Sequence, residues 1–139
     1  MVDQAQKIIH LLYPDSYLEE RDANGRRMKD RWLDFHVKAL EHDNGMSLEG
    51  LKNQAMAVAS HHMSREKLRI IRNAAFPILL LAGKKDRVIH YSSMQQLYSL
   101  LKSPRTKMHT FTDAGHGLIN QYYQEVAQLL TTMVKQVHP

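Results

Sequence analysis

The sequence predicts an α/β chain: an all-helical first half followed by a β-α-β-α second half. Three observations carry this. Residues 1–73 place apolar side chains at helical spacing and contain no strand-like run. "ILLLA" is continuously apolar between Pro77 and Gly83, the mark of a short strand covered on both faces as in a parallel sheet. A second strand-like run, "KMHTFTD", rich in Thr and Phe, follows after an intervening amphipathic segment.

The elements follow in order. Residues 3–12 read as a short helix closed by Pro14. "YPDSYLEERDANG" reads as a connector with turn chemistry at Asn24-Gly25. From about Arg26 to His42 a helix carries Met28, Trp32, Phe35 and Ala39, with the parallel row Leu33, Val37 and Leu40. Gly45 breaks it. Ser47 is placed to cap a helix with Leu48, Leu51, Ala55 and Val58 on one face, and Ser64 to cap a shorter one through Leu68 and Ile71. After the first strand, Ser92 or Ser93 is placed to cap a helix with Met94, Leu97, Tyr98 and Leu101, which ends before Pro104. After the second strand a single helix is expected from about Leu118 to Val137, with Tyr122, Val126, Leu129, Leu130, Met133 and Val137 on its apolar side. The two strands are expected to be parallel and joined by a right-handed crossover.

Bulk properties exclude several function classes. At 139 residues with 43% apolar content, the chain suits one modest core. With no cysteine it has no disulfide, thiolate nucleophile or cysteine-ligated metal. No apolar run approaches membrane-spanning length, and "MVDQAQKII" lacks the layout of a secretory signal, so the cytoplasm is the default location. The net charge of +5 is spread along the chain among acids. Its one dense cluster, Arg26, Arg27, Lys29 and Arg31, reads as a solvated helix start rather than a nucleic-acid footprint. His61 and His62 are adjacent, and His36 and His42 fall on different helix faces, so no metal site is expected. "AGKKDR" lacks the spaced glycines of a phosphate-binding loop, and no cofactor is expected. The methionines at 28, 56, 63, 94, 108 and 133 read as core filler.

The chemistry gathers at the strand ends. In parallel α/β sheets, functional groups collect beyond the carboxyl ends of strands. The loop after "ILLLAG" holds Asp86, and the loop after "KMHTFTDAG" holds His116. Neighbouring parallel strands bring these ends together. A carboxylate that accepts the imidazole N–H fixes the tautomer and stabilises the imidazolium formed on proton uptake. Asp113 is a rival acid, but three positions before the histidine is a poor span for orienting its ring, and a strand-end turn role suits it better. Arg87 beside Asp86 reads as a surface ion-pair partner.

"PILLLAGKKDRVI…SSMQQLYSLL…KMHTFTDAGHGLINQYYQEVAQLL" resembles the C-terminal end of an α/β-hydrolase. The resemblance is specific over residues 76–130 and looser before. "GLKNQAMAVASHHMSREKLRII" is similar to helices leading from a lid back into the core. It implies a partial α/β-hydrolase fold: residues 1–73 a helical lid segment, and residues 74–139 the C-terminal portion of the core. It implies that Asp86 is the triad acid and His116 the triad histidine, acting on a small apolar acyl substrate. One departure is serious. None of the eight serines has glycine at both flanking positions of G-x-S-x-G. In the family, the nucleophile and oxyanion loop would precede residue 1, so the chain is expected to be inactive unless a missing half completes it. A non-catalytic protein-binding module is the alternative. The first strand would then offer an open apolar edge for self-association or a protein partner.

Overall fold

The computed structural model describes residues 1–42 and 48–137. The first half is helical: α1 (Val2–Leu12), α2 (Asp15–Leu18), α3 (Met28–His42), α4 (Leu48–Ser60) and α5 (Arg65–Asn73). The second half runs β1 (Ile78–Gly83), α6 (Tyr91–Leu101), β2 (Thr106–Phe111), α7 (Leu118–Gln121) and α8 (Tyr123–Val137). The two strands are parallel, in register from Ile78 opposite Thr106 to Gly83 opposite Phe111. Their carboxyl ends therefore finish side by side, which is what positions the site.

Side-chain alternation along the strands assigns each sheet face its cover. On one face Thr106 donates its hydroxyl to the carbonyl of Leu101, and Thr110 pairs with the Tyr91 hydroxyl, so α6 lies there. On the other, Leu81 and buried Phe111 meet Val126, Leu129 and Tyr122 of the C-terminal helices. Ile78–Leu81 are nevertheless only half-buried. Full cover on both faces, expected from their continuous apolarity, is not reached, because β2 is the one strand paired with β1 among the described residues.

The helical half has its own core. Ile9, Tyr13, Tyr17 and Leu18 are buried together, with Met28, Trp32 and Leu33 of α3 packed against them. Tyr13 stacks on Trp32 at 5.0 Å between centroids, and Trp32 Nε1 donates to the Tyr17 hydroxyl. Burying side chains of this size contributes about 1.5–3 kcal/mol each.

The departures from expectation have local causes. Pro14 does close α1, but it also stands at the N-cap of α2, inside a stretch whose composition reads as a plain connector. Proline's fixed φ suits the entry to a helix as well as the exit. Asn24-Gly25 turns as expected, with Gly25 at φ 77°. Asp22 Oδ1 accepts the N–H groups of Asn24 and Arg26, and Arg21 bridges Arg27. That turn consumes Arg26 and Arg27, so α3 begins at Met28. The basic cluster is largely paired: Arg26 with Asp34, Arg27 with Asp30, and Arg31 over the Trp32 ring. Phe35 is 57% exposed and Val58 78% exposed, and Met56 and Met63 are also exposed. Phe35 on the expected apolar face of α3, and Val58 on that of α4, are therefore open rather than core. Gly45, Ser47 and the side chains of Leu48, Leu51, Ala55 and Val137 lie outside what is described. Ser64 caps α5 as expected, accepting the Lys67 N–H at 3.2 Å. Ser92 and Ser93 instead lie inside α6, whose N-cap is His90. The last helix is two helices, broken at Tyr122, whose ring sits 4.8 Å from that of Phe111.

Candidate active site

Both strand-end loops are fixed from the backbone outward. Lys84 N–H donates to the Phe111 carbonyl and Lys85 N–H to that of Ala114, at 2.9 Å for the latter, so the loop after β1 is laced to the loop after β2. Gly83 is required at this crossing: a Cβ there would lie 2.8 Å from the Gly115 carbonyl oxygen. Asp86 follows. Its Oδ1 accepts the N–H groups of Val88 and Ile89, both at 2.8 Å. Its Oδ2 lies 3.0 Å from His116 Nδ1.

The structure thus brings together the two residues singled out from the sequence. The Asp86 side chain is 9% exposed and that of His116 36%. Among the described residues there are two further histidine–carboxylate pairs, His10 with Asp15 and His109 with Glu125, so such a pair is not diagnostic alone. Asp86–His116 differs in its shielded carboxylate and its place at the carboxyl ends of adjacent parallel strands. With Nδ1–H donating to Asp86, the free Nε2 is the atom that can take a proton from a nucleophile. Among the described residues no hydroxyl is hydrogen-bonded to His116.

The rivals go elsewhere. Asp113 pairs with Lys85 Nζ at 2.7 Å, not with the histidine three residues on. Arg87 turns away from Asp86: Nη1 donates to the His10 carbonyl and Nη2 to Asp15 Oδ2 at 2.9 Å. Hydrogen bonds from Arg87 and then from His10 hold the Asp15 carboxyl below the usual aspartate range.

Residues without a motif of their own hold the histidine loop. Gly117 N–H donates to the Leu12 carbonyl at 2.8 Å. Gly115 N–H donates to Gln121 Oε1, and Asn120 Nδ2 to the Tyr13 hydroxyl at 2.8 Å. Burial pushes the Tyr13 hydroxyl above its ordinary titration range. The glycines flanking His116 are the sequence signal for this, since they let another backbone approach the loop closely. A cavity of about 340 Å³ lies at the opposite, amino ends of the strands, between Pro77, Ile78, Arg105 and Met133, away from this pair. Among the described residues no cluster of three or more metal-ligating side chains occurs, and no helix is long and apolar enough to cross a membrane.

Comparison with known proteins fits this arrangement. The family model described as serine aminopeptidase, S33, matches residues 1–122. No curated protein matches the chain. The crystal structure of BpoC from Mycobacterium tuberculosis H37Rv, which carries the name of a non-heme bromoperoxidase, is similar at a TM-score of 0.68 and 17% identity. The match covers 99% of this chain and 46% of that one, so the chain spans under half the length of its structural relative. At that identity the likeness shows the fold, that of an α/β-hydrolase.

Proposed function

Because the chain belongs to the serine aminopeptidase S33 family of α/β-hydrolases, we propose that it carries the acid–base half of a serine hydrolase. The observation that supports this most is the 3.0 Å contact between Asp86 Oδ2 and His116 Nδ1, at the carboxyl ends of neighbouring strands. His116 Nε2 removes the proton from a serine hydroxyl as it attacks an acyl carbonyl. The imidazolium then returns that proton to the leaving group, and Asp86 stabilises the cation between the two transfers. No cofactor takes part. Residues 1–73 act as a lid and residues 74–139 as the C-terminal portion of the core. The packing of Leu12 and Tyr13 against the His116 loop supports a lid over this site. The substrate is a small apolar ester or related acyl compound, met in the cytoplasm.

The nucleophile and oxyanion donors come from polypeptide outside these 139 residues, since no serine here stands in G-x-S-x-G. An oxyanion without donors forgoes about 2.7–4 kcal/mol of transition-state stabilisation for each one lost, so the chain alone is inactive. Turnover of a chromogenic short-chain ester tests this: the 139-residue chain gives the rate of buffer. A rate above buffer that His116→Ala abolishes would overturn the proposal.

A second reading has one observation in its favour. The β1 edge opposite β2 has no strand beside it among the described residues, and an open apolar edge is a template for pairing. The chain would then be a non-catalytic protein-binding module. Concentration-dependent association on size-exclusion chromatography, unchanged in an Asp86→Asn, His116→Ala double variant, would favour it. A compact monomer at all concentrations would count against it.

A further inference from the structure

We propose that Arg87 is a positioning residue for the Asp86–His116 pair, fastening the Asp86 loop to the same short stretch, residues 10–15, that holds the His116 loop. The inference rests on the reading of that pair as the acid and base of a hydrolase.

The aim of Asp86 depends on the chain that follows it. Oδ1 is held by the N–H groups of Val88 and Ile89, which leaves Oδ2 facing His116. Before Asp86 the loop is secured by the backbone bonds of Lys84 and Lys85 to the other loop. After Asp86 the apolar side chains do not secure it: Val88 and Ile89 are both exposed. Among the described residues, the hydrogen bonds that cross the molecule from residues 87–90 are those of Arg87, as Lys85 Nζ reaches Ser16 from the side before Asp86. The Arg87 guanidinium spans the His10 carbonyl at 2.6 Å and Asp15 Oδ2 at 2.9 Å. A planar fork that meets a carbonyl and a carboxylate together fixes direction as well as distance.

The other loop is tied to the same place. Gly117 N–H reaches the Leu12 carbonyl, Asn120 reaches the Tyr13 hydroxyl, and a Cβ at Gly117 would collide with the Tyr13 ring. Residues 10–15 are thus one fixed reference for both halves of the pair. Removing the Arg87 fork frees residues 87–90 to move with the donors of Oδ1, and the carboxylate then loses its aim at Nδ1.

The test reads the hydrogen bond itself, so no turnover is needed. The full chain is labelled with ¹⁵N-histidine, and the hydrogen-bonded Nδ1–H resonance of His116 is followed at mildly alkaline pH. His116→Gln assigns it among the nine histidines. Expected are loss of that resonance in Arg87→Gln, weakening in Asp15→Asn, and only partial recovery in Arg87→Lys, whose ammonium keeps the charge without the fork, all with unchanged circular dichroism. A folded Arg87→Gln that keeps the wild-type resonance overturns the proposal. If Arg87→Gln fails to fold, Asp15→Asn decides: a weakened resonance supports the proposal and an unchanged one overturns it. A wild-type chain without the resonance, or an Asp86→Ala variant that keeps it, instead overturns the reading of the pair itself.

Discussion

Gly115→Ala probes how tightly the histidine loop is seated. A Cβ at residue 115 would lie 2.5 Å from the Leu12 carbonyl oxygen and 3.0 Å from Pro14 Cδ, where ordinary contact begins at 3.4 Å. Neither neighbour can rotate away, one being backbone and the other a proline ring. The loop must therefore shift by roughly 0.9 Å, at the upper end of the 1–3 kcal/mol typical of overpacking. Leu12 also accepts the Gly117 N–H at 2.8 Å, and losing that bond adds about 0.5–1.5 kcal/mol. The expected destabilisation is about 2.5–4.5 kcal/mol. Urea unfolding followed by fluorescence measures it, since the single tryptophan, Trp32, stacks on Tyr13 in the same cluster. Gly25→Ala is the reference: it meets no atom within 4 Å, and only its φ of 77° opposes a side chain, a cost of about 1 kcal/mol. A Gly115→Ala variant no less stable than Gly25→Ala would refute the close seating of this loop on residues 12–14.

Other predictions follow from burial and charge. Leu18→Ala, at a site 1% exposed, should cost about 2–5 kcal/mol in the same assay, whereas Leu130→Ala, at an exposed position of α8, should stay within about 0.5 kcal/mol. Burial holds the His36 imidazole below its ordinary 6.5, so the unfolded chain takes up that proton first. Its contribution is present above about pH 6.5 and is lost on acidification through the lower folded value; His36→Leu should flatten a stability–pH profile over that window. Burial raises Tyr13 and Tyr17 above the ordinary 10.0. Their contribution is present below that pH and lost as pH rises through the folded values, and Tyr13→Phe should reduce the alkaline slope of urea midpoints.

Much of the site is legible in the amino-acid sequence because it follows from topology. A parallel pair with one crossover must bring the residues after Gly83 and after Phe111 together, so the loops bearing Asp86 and His116 meet at one end of the sheet. The β1 run is legible for a related reason: continuous apolarity between proline and glycine has few other outcomes in so short a span. What is not legible depends on packing between distant segments. Periodicity marks an apolar face on α3, yet not what covers it, and Phe35 stands open. Arg87 reads as a partner for its neighbour until α1 is placed beside it, when the His10 carbonyl and Asp15 take its guanidinium. Nor does local pattern predict the break at Tyr122. The ring contact with Phe111 that accompanies it exists only once β2 and α8 are packed.

The central claim is that Asp86 and His116 form the base half of a hydrolase site whose nucleophile lies outside this chain. Intact mass after incubation with a fluorophosphonate, which esterifies only an activated serine, tests it most directly. The account predicts an unchanged mass for the 139-residue chain, with Asp86 and His116 intact. One stoichiometric adduct on a serine, absent in His116→Ala, would contradict it.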